Sequence, residues 1–332
     1  ILMMAKVLLI KDYINSSFGL QATVLEKGLR ELGYEVSTMD KMSANKRNVP
    51  PGYDYYIFYT VFGSRLFWSG LPRYGKNVVF EVSDTDQLSG LANSFLNREP
   101  IDVIVTPSRW SKAGFTNVRK NVVVIPHALD PEIFDQEFKP DPSVSHDFPF
   151  LFCSAPHSPD RKGVDIISYV IRRLPSVDYL IEIMDNKIKE VEGLNTTGGV
   201  LSKQTHYTLF SQADILLYPA RGGAFEIPII ESLAFHADVI VPEQGPWTEY
   251  VDPEDAIFVN VNGRRKYWFT NVYHVGNFIE PDKEDAYRKT VLALSIQDEE
   301  RTKMKMERGK KYRERFHYLR IAKFWDKLLS SL

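Results

Sequence analysis

Asp214-Ile-Leu-Leu-Tyr-Pro-Ala-Arg-Gly-Gly-Ala-Phe-Glu-Ile-Pro-Ile-Ile-Glu-Ser-Leu-Ala234 is the stretch of sequence that decides the fold. An apolar run that ends at Pro219 predicts a buried strand, and a helix begins near Ile227 with Pro228 in its first turn, where proline is tolerated. The first backbone N–H groups of such a helix have no acceptor inside it. Together with the small residues Gly222–Ala224, they form a seat for a phosphate group.

The same alternation of strands and helices continues on both sides of this stretch, as is typical of doubly wound parallel sheets. Further strands are predicted at Lys6–Ile10, Glu35–Met39, Tyr55–Tyr59, Asn77–Val82, Asp102–Thr106, Val122–Ile125, Phe150–Ser154, Tyr179–Met184 and Asp238–Val241. Further helices are predicted at Leu20–Leu32, Gln87–Asn97, Ser108–Asn117, Val164–Leu174 and Lys203–Ser211.

A proline-bearing segment, with Pro131, Pro140, Pro142 and Pro149, separates two similar α/β halves. We therefore expect two Rossmann-like, doubly wound parallel-sheet domains, residues 1–140 and 148–315, that face each other across a cleft. Ligands of open parallel sheets bind in such clefts. The last residues, about 316–332, are expected to form a helix that packs back on the first domain.

Composition and charge exclude several classes of protein. The 332 residues contain 41 Lys and Arg against 43 Asp and Glu, and the formal charge of -2 argues against a nucleic-acid partner. The single cysteine, Cys153, excludes a disulfide framework and fits a reducing compartment. The apolar start at Ile1–Ile10 has neither a basic flank nor a cleavage site, so we interpret it as a strand and expect a cytoplasmic protein.

Three charged residues near the predicted helix starts suggest a chemistry. Glu231 lies one turn into its helix, where a carboxylate can accept two hydrogen bonds from a ribose diol; the alternative is a solvated Glu on an ordinary strand–turn–helix unit. Arg161 and Lys162 stand at another helix start on the same sheet edge, where cations attract a phosphate; the alternative is a solvated basic loop.

Two other kinds of site are not supported by the sequence. No Gly-x-Gly-x-x-Gly follows the first strand, which counts against a nicotinamide-dependent dehydrogenase. No His, Asp and Glu cluster has the spacing of metal ligands, so we expect neither a cofactor nor an obligatory metal.

The segment Pro219–Glu231 resembles the signature of the retaining family 4 glycosyltransferases, which have the GT-B fold. The family pattern there is Pro-Ser-Arg-x-Glu-Gly-Phe-Gly-x-Pro-x-x-Glu-Ala. Further segments resemble the family in the same order along the chain: Thr106–Trp110, Val124–Phe134, Arg161–Asp165 and Gly245–Val251.

This resemblance implies an enzyme of the hexosyltransferase type. It would move a sugar from a UDP- or GDP-sugar to a glycan, lipid or protein acceptor, with retention of configuration and without a metal. The resemblance implies that Lys162 binds the donor diphosphate, that Glu231 binds the ribose and that Gly19 approaches the diphosphate from the first domain. The other implied donor-binding residues are Arg161, Leu201, Arg221, Gly223, Ala224, Phe225 and Ile227.

Two departures from the family pattern lie close to the donor. Gly223 stands where the family has a Glu that contacts the transferred sugar, and Glu226 stands where the family has Gly. We expect Glu226 to supply the acidic contact as a catalytic residue. Pro156 stands where the family has an Arg, and we expect Arg161 or Arg221 to supply that charge.

A third departure lies in the first domain. The family commonly has a histidine after the fourth strand, and Asp84 or Asp86 occupies that neighbourhood as a catalytic candidate. The alternative is that these carboxylates cap the predicted helix Gln87–Asn97. His127 lies in a turn and is expected to be structural.

Two functional hypotheses therefore remain open, a nucleotide-sugar-dependent glycosyltransferase and a nucleotide- or glycan-binding module without turnover. Two basic segments, Arg264–Phe269 and Arg301–Arg315, could bind anionic lipids and so bring the protein to a membrane surface. The alternative for both segments is an ordinary solvated surface.

Overall fold

The chain forms two compact units in the computed structural model, which describes residues 4–13, 16–135, 149–185, 187–199, 201–266 and 272–332. The first unit comprises Ile1–Pro131, Tyr267–Asn277 and Phe316–Leu332, and the second comprises Glu132–Lys266 and Phe278–Arg315. These bounds differ from the expected ones in two respects. The first segment of the first unit ends at Pro131 instead of residue 140, and the unit also contains Tyr267–Asn277. Most of the expected linker, residues 136–148, lies outside the described residues.

The first unit is built on a six-stranded parallel sheet with the strand order β2-β1-β3-β4-β5-β6. Its strands are β1 Lys6–Lys11, β2 Glu35–Asp40, β3 Tyr55–Tyr59, β4 Lys76–Phe80, β5 Val103–Thr106 and β6 Val122–Val124. Its helices are α1 Ser17–Glu31, α2 Arg65–Ser69, α3 Gly90–Arg98, α4 Arg109–Ala113 and α11 Tyr318–Leu329. The six predicted strands are confirmed, whereas the helix predicted at Ser108–Asn117 ends at Ala113.

The C-terminal helix α11 packs against α1 within this unit. The contact depends on Gly28, since a Cβ there would lie 2.5 Å from the Cβ of Ala322. The apolar face of α11, which includes Ile321, Trp325 and Leu329, is buried by this packing. The amphipathic pattern of the last helix therefore gives it a place on the first unit.

The second unit contains a five-stranded parallel sheet with the order β11-β10-β9-β7-β8, and a separate two-stranded sheet of β12 and β13. Its strands are β7 Phe150–Ser154, β8 Asp178–Glu182, β9 Ile215–Leu217, β10 Asp238–Pro242, β11 Ala256–Val259, β12 Val261–Lys266 and β13 Asn277–Pro281. Its helices are α5 Glu132–Asp135, α6 Val164–Ile171, α7 Lys203–Gln212, α8 Ile227–Ala234, α9 Lys283–Ser295 and α10 Glu299–Arg315.

The strand order of the second unit sets the position of a binding site. β7 lies between β8 and β9, so the chain reverses its direction of winding at β7, and ligands of such sheets bind at the carboxyl ends of the strands there. The turn before α6 closely approaches the segment after β9. Gly163 has a φ of 72°, and a Cβ on it would overlap the carbonyl oxygen of Pro219. Gly163 thereby brings two helix starts together.

The basic run Arg301–Arg315 forms most of α10, and several of its cations are bound inside the second unit. Arg301 and Arg308 donate to the carboxylate of Asp238 at 2.6 and 3.0 Å, and Asp238 is completely buried. Lys305 is also buried. These three cations therefore form neither a surface that binds lipid nor an ordinary solvated surface, which are the two alternatives that the sequence suggests. Among the described residues, no helix has both the length and the apolar character needed to cross a membrane.

Candidate functional site

The turns before α6 and α8 meet at the carboxyl edge of the second sheet, and three predicted site residues come together there. Arg161 Nη1 lies 2.8 Å from Glu226 Oε1, and Lys162 Nζ forms an ion pair with Glu226 Oε2. Lys162 and Glu226 are 8% and 3% exposed, respectively. The two cations and the carboxylate thus form one buried ion cluster, which we call the Glu226 cluster.

Two tyrosines complete the Glu226 cluster. Tyr218 accepts a hydrogen bond from Lys162 and donates one to Glu226, and the ammonium of Lys162 also lies 4.9 Å from the centroid of the Tyr218 ring. Burial, together with the charge of Glu226, raises the pKa of Tyr218 well above its ordinary value, so the hydroxyl keeps the proton that it donates. Tyr250 accepts from the backbone N–H of Glu226 at 3.1 Å. These contacts fix the carboxylate relative to the start of α8.

Gly223 explains how the carboxylate of Glu226 reaches this position. The φ of Gly223 is 154°, and a Cβ on it would overlap Glu226 Oε1 and lie 2.9 Å from Arg161 Nη1. The carboxylate of Glu226 therefore occupies the space in which a side chain at position 223 would begin. The missing side chain at position 223 and the acidic side chain at position 226 belong to one arrangement.

Glu231 belongs to a second polar group, which we call the His206 group. Glu231 Oε2 lies 3.4 Å from His206 Nε2, and Glu182 Oε1 lies 3.0 Å from His206 Nδ1. Ser154, at the end of β7, donates to the other oxygen of Glu182 at 2.6 Å. Burial would lower the pKa of His206, but the two carboxylates outweigh it and raise the pKa to about 10. The imidazole is therefore a cation at neutral pH, and it lies between two carboxyl groups.

The predicted phosphate seat lies in the turn Gly223–Ile227. Ala224 and Phe225 are buried, and the Phe225 ring stacks on Tyr250 with 4.2 Å between the ring centroids. α8 begins at Ile227 as predicted. Leu201, another residue that the resemblance assigns to donor binding, directly precedes Ser202, whose side chain caps α7.

Arg221 does not join the Glu226 cluster, although the family resemblance assigns it to the donor. Its Nη1 donates to the carbonyl oxygen of Asp160 and to Asp165, its Nη2 to Asp165 and Glu280, and its Nε to Glu280, at 2.7 to 3.1 Å. A guanidinium has five N–H donors, and these contacts use all of them. Arg221 is 2% exposed, and its hydrogen bonds connect the residues around the start of α6 with β13. The prediction that Arg221 supplies a charge to the donor phosphate therefore disagrees with this structure.

Gly19 also differs from its predicted role. It lies in the first turn of α1, and its N–H donates to Ser16 Oγ at 3.0 Å. The helix begins earlier than the apolar periodicity suggests because Ser16 caps it. The N–H of Gly19 is therefore already used in the helix cap.

Asp84 and Asp86 lie in the first unit, where neither of them caps the next helix. α3 begins at Gly90, and its cap is Ser89, whose Oγ accepts from Ala92 N. Asp86 instead accepts from the backbone N–H of Asn277 at 2.7 Å, and the N–H of Asp84 faces a ring nitrogen of His274 at 3.4 Å. The capping alternative is thus wrong, and Asp86 anchors the segment 272–277.

His127 is buried in the first unit, where its ring lies 3.3 Å from the hydroxyl of Tyr59. Burial lowers the pKa of His127 to about 3, so the ring is neutral. These contacts agree with the structural role that the sequence favours.

Four polar residues of the site were not predicted from the sequence, namely Glu182, His206, Tyr218 and Tyr250. Glu182 and Tyr218 follow or end apolar strand runs, and this position at the carboxyl edge was a usable signal. His206 lies within α7 and Tyr250 after a short 3-10 turn, and no local pattern marks either residue. Among the described residues, no three His, Cys, Asp or Glu side chains are arranged to hold a metal ion.

Comparison with known sequences finds relatives that span almost the whole chain. A protein of Sulfolobus islandicus filamentous virus (isolate Iceland/Hveragerdi), named "Putative glycosyltransferase 45", is 45% identical over 335 residues, covering 98% of this chain and 94% of the relative. "Uncharacterized protein 356" of Sulfolobus islandicus rod-shaped virus 1 is 22% identical, covering 92% of this chain and 93% of the relative. No protein-family model matches the chain.

Solved structures show the same fold at low sequence identity. Sucrose-phosphate synthase from Thermosynechococcus elongatus has a TM-score of 0.70 and 13% identity, covering 99% of this chain and 100% of that one. Anabaena HepE, solved in complex with UDP-glucose, has a TM-score of 0.66 and 14% identity, with coverage of 99% and 100%. These likenesses confirm the prediction of two Rossmann-like, parallel-sheet domains of the GT-B type.

Proposed function

The chain belongs to the same glycosyltransferase family as the filamentous-virus relative, and from this premise we propose that it transfers a sugar from a UDP-sugar to an acceptor. The choice of UDP rests on the structural neighbour that was solved with UDP-glucose. The finer assignment, a retaining hexosyltransferase of family 4 that needs no metal, rests on the resemblance of Pro219–Glu231 to that family's signature.

The observation that carries this proposal is the position of Arg161 and Lys162 beside the start of α8. A Lys about 4 Å from a phosphate charge gains roughly 4 kcal/mol at an effective dielectric of 20, before the cost of desolvation is subtracted. The partial positive charge at the start of α8 adds to this attraction. The site therefore suits the diphosphate of a nucleotide sugar.

Donor binding at this site requires the cations to exchange partners. Arg161 and Lys162 together carry two positive charges and Glu226 carries one negative charge, so the cluster keeps a net positive charge that attracts a diphosphate. When the diphosphate binds, its oxygen atoms replace the carboxylate oxygens as acceptors. Glu226 then lies beside the sugar, at the place of the acidic residue that position 223 lacks.

The proposed reaction needs positioning and charge stabilisation from the protein. The acceptor oxygen forms a bond to the anomeric carbon on the face from which UDP leaves, and the bond from that carbon to the phosphate oxygen breaks. The proton of the acceptor passes to the departing phosphate oxygen. Arg161 and Lys162 stabilise the negative charge that develops on UDP, and Glu226 holds the sugar.

A nucleotide-binding module without turnover is the second candidate, and one observation favours it. Both cations are already paired with Glu226, and a carboxylate that stays there would weaken the binding of a diphosphate. The two candidates differ in one outcome, since the module binds UDP-sugar but neither transfers the sugar nor hydrolyses the donor.

The test begins with thermal-shift measurements against UDP, GDP, ADP and their sugars. A ligand at 100 times its Kd adds about 2.7 kcal/mol to the free energy of unfolding, which makes the preferred base visible. UDP release from the preferred UDP-sugar is then followed with and without mixed glycan acceptors. Stabilisation by UDP and release of UDP support the enzyme. Stabilisation without release supports the module, and no response to any nucleotide contradicts both candidates.

A further inference from the structure

We propose that His206 is a positioning residue, which orients Glu231 toward the ribose of the donor and thereby sets the preference for a ribonucleotide. The inference rests on the proposed function, because it assumes that a nucleotide sugar binds at the carboxyl edge of the second sheet. It adds a residue for which the family pattern at Pro219–Glu231 has no counterpart, on a different helix.

The geometry of His206 carries the inference. The imidazole uses one nitrogen on Glu231 at 3.4 Å and the other on Glu182 at 3.0 Å, so the ring cannot rotate without losing one of these contacts. Glu182 is itself fixed by Ser154 at the end of β7. His206 therefore connects the end of β7, through Glu182, with the carboxylate of Glu231 on α8, and it limits the positions that this carboxylate can take.

The two oxygens of Glu231 have different surroundings. Oε2 faces His206, and no protein donor to Oε1 is found among the described residues. The side chain of Glu231 is 8% exposed, so a small part of it reaches the surface. A carboxylate held by a cation on one side and open on the other suits the acceptance of hydrogen bonds from a ribose diol.

Electrostatics supports the same role. Burial would raise the pKa of Glu182, but the hydrogen bond and the charge of His206 lower it. A buried carboxylate without a counter-ion would tend to take up a proton and would then be a poorer acceptor.

The experiment compares UDP with 2′-deoxy-UDP by titration calorimetry, because only the first has the complete ribose diol. The variants are His206→Phe, which keeps the ring volume without donors, and His206→Gln, which keeps a donor. His236→Gln is the matched control, since His236 is a half-buried histidine of the same unit that contacts Lys305 instead of the site. The wild type and the control should prefer UDP over 2′-deoxy-UDP by about tenfold or more, the loss expected for a hydrogen bond to a charged group.

The expected result is a preference that falls to less than about threefold in His206→Phe and is partly restored in His206→Gln. A folded His206→Phe variant with the wild-type preference overturns the proposal. So does the unfolding of both variants, which would assign His206 to stability alone. A wild type that binds UDP without any preference overturns the ribose contact but keeps the donor site. A wild type that does not bind UDP overturns the proposed function itself.

Discussion

Two ion clusters of the second unit contain similar groups at opposite edges of the same sheet. Asp238 begins β10 and binds Arg301 and Arg308 of α10, whereas Glu226 follows β9 and binds Arg161 and Lys162. Both carboxylates are almost completely buried. The Asp238 cluster joins a helix to the amino edge of the sheet, and the Glu226 cluster joins two turns at the carboxyl edge, where ligands of such sheets bind.

The difference teaches that the position of a buried ion cluster in the fold says more about its role than its composition does. The carboxylate of Asp238 accepts hydrogen bonds from the side chain of Gln297 and from two arginines, and it also lies near the ammonium of Lys305. Around Glu226, the cations come from the turn before α6, where we propose that the diphosphate binds. We therefore assign stability to the first cluster and ligand binding to the second, and variants of each cluster should separate the two roles.

The largest expected effect is the loss of stability in Asp238→Ala. This change leaves Arg308 and Lys305, which are 7% and 5% exposed, without their buried counter-ion. Removal of one partner from a buried ion pair costs about 3–5 kcal/mol of the free energy of unfolding. Urea unfolding measures the loss, and the affinity of the folded variant for UDP should stay at the wild-type value. A stable variant with weakened UDP binding would reverse the roles of the two clusters.

A large effect on turnover is expected for Glu226→Gln, together with a loss of stability, because the change leaves the buried ammonium of Lys162 without its carboxylate partner. The amide keeps the volume and the acceptor oxygen but removes the negative charge that we place beside the sugar. Loss of one such electrostatic contact to a reacting group costs about 10²-fold in turnover. Steady-state release of UDP measures it, with Glu249→Gln, a more exposed carboxylate in the same unit, as the matched control. Turnover and donor affinity equal to the wild type would contradict the assignment of Glu226.

The His206 group should make the protein less stable as pH rises. The pKa of His206 is about 10 in the folded chain against an ordinary value of 6.5, so the folded state holds a proton that the unfolded state has lost. The stabilisation is complete below about pH 6.5 and disappears as pH passes through about 10, with a slope of at most about 1.4 kcal/mol per pH unit. Urea unfolding between these pH values measures the slope. An identical slope in His206→Gln would show that the proton is held by another group.

The smallest effect is expected for Asp86→Ala in the first unit. Its carboxylate accepts from the backbone of Asn277, and the loss of one such hydrogen bond costs about 0.5–1.5 kcal/mol of stability. The affinity for UDP should not change, because Asp86 anchors a segment of its own unit. Thermal unfolding and UDP calorimetry check both statements. A stable Asp86→Ala variant without turnover would return Asp86 to the catalytic residues.

Most of the fold can be predicted from the sequence because apolar runs and glycine turns act locally. Strands β1 to β10 and the helix start at Ile227 follow from such patterns, whereas β11, β12 and β13 are not predicted. Lys162, Glu226 and Glu231 can be placed near the same sheet edge from the order of the strands. The sequence does not reveal which charged side chains form ion pairs with one another. Arg221 lies two residues from Gly223, yet its side chain binds Asp165 and Glu280. These partners are 56 and 59 positions away in the sequence, so no local pattern indicates them.

The His206 group illustrates the same limit. His206, Glu182 and Glu231 come from a helix, a strand end and another helix, and only the packed sheet brings them together. Gly19 shows the opposite case, because a local signal marks its position: serine is a common N-cap residue, and Ser16 caps α1. Long-range pairing, rather than local pattern, decides which polar residues form the site.

The most direct test of the central claim is titration calorimetry of UDP with the wild type, Lys162→Ala and Lys310→Ala. Lys162 is buried in the Glu226 cluster, whereas Lys310 is an exposed lysine of α10 and serves as the control. We predict that Lys162→Ala weakens UDP binding by about 1.5–3 kcal/mol, the value for a hydrogen bond to a charged group, and that Lys310→Ala leaves it unchanged. A folded Lys162→Ala variant that binds UDP as tightly as the wild type would contradict the donor site at the carboxyl edge of the second sheet.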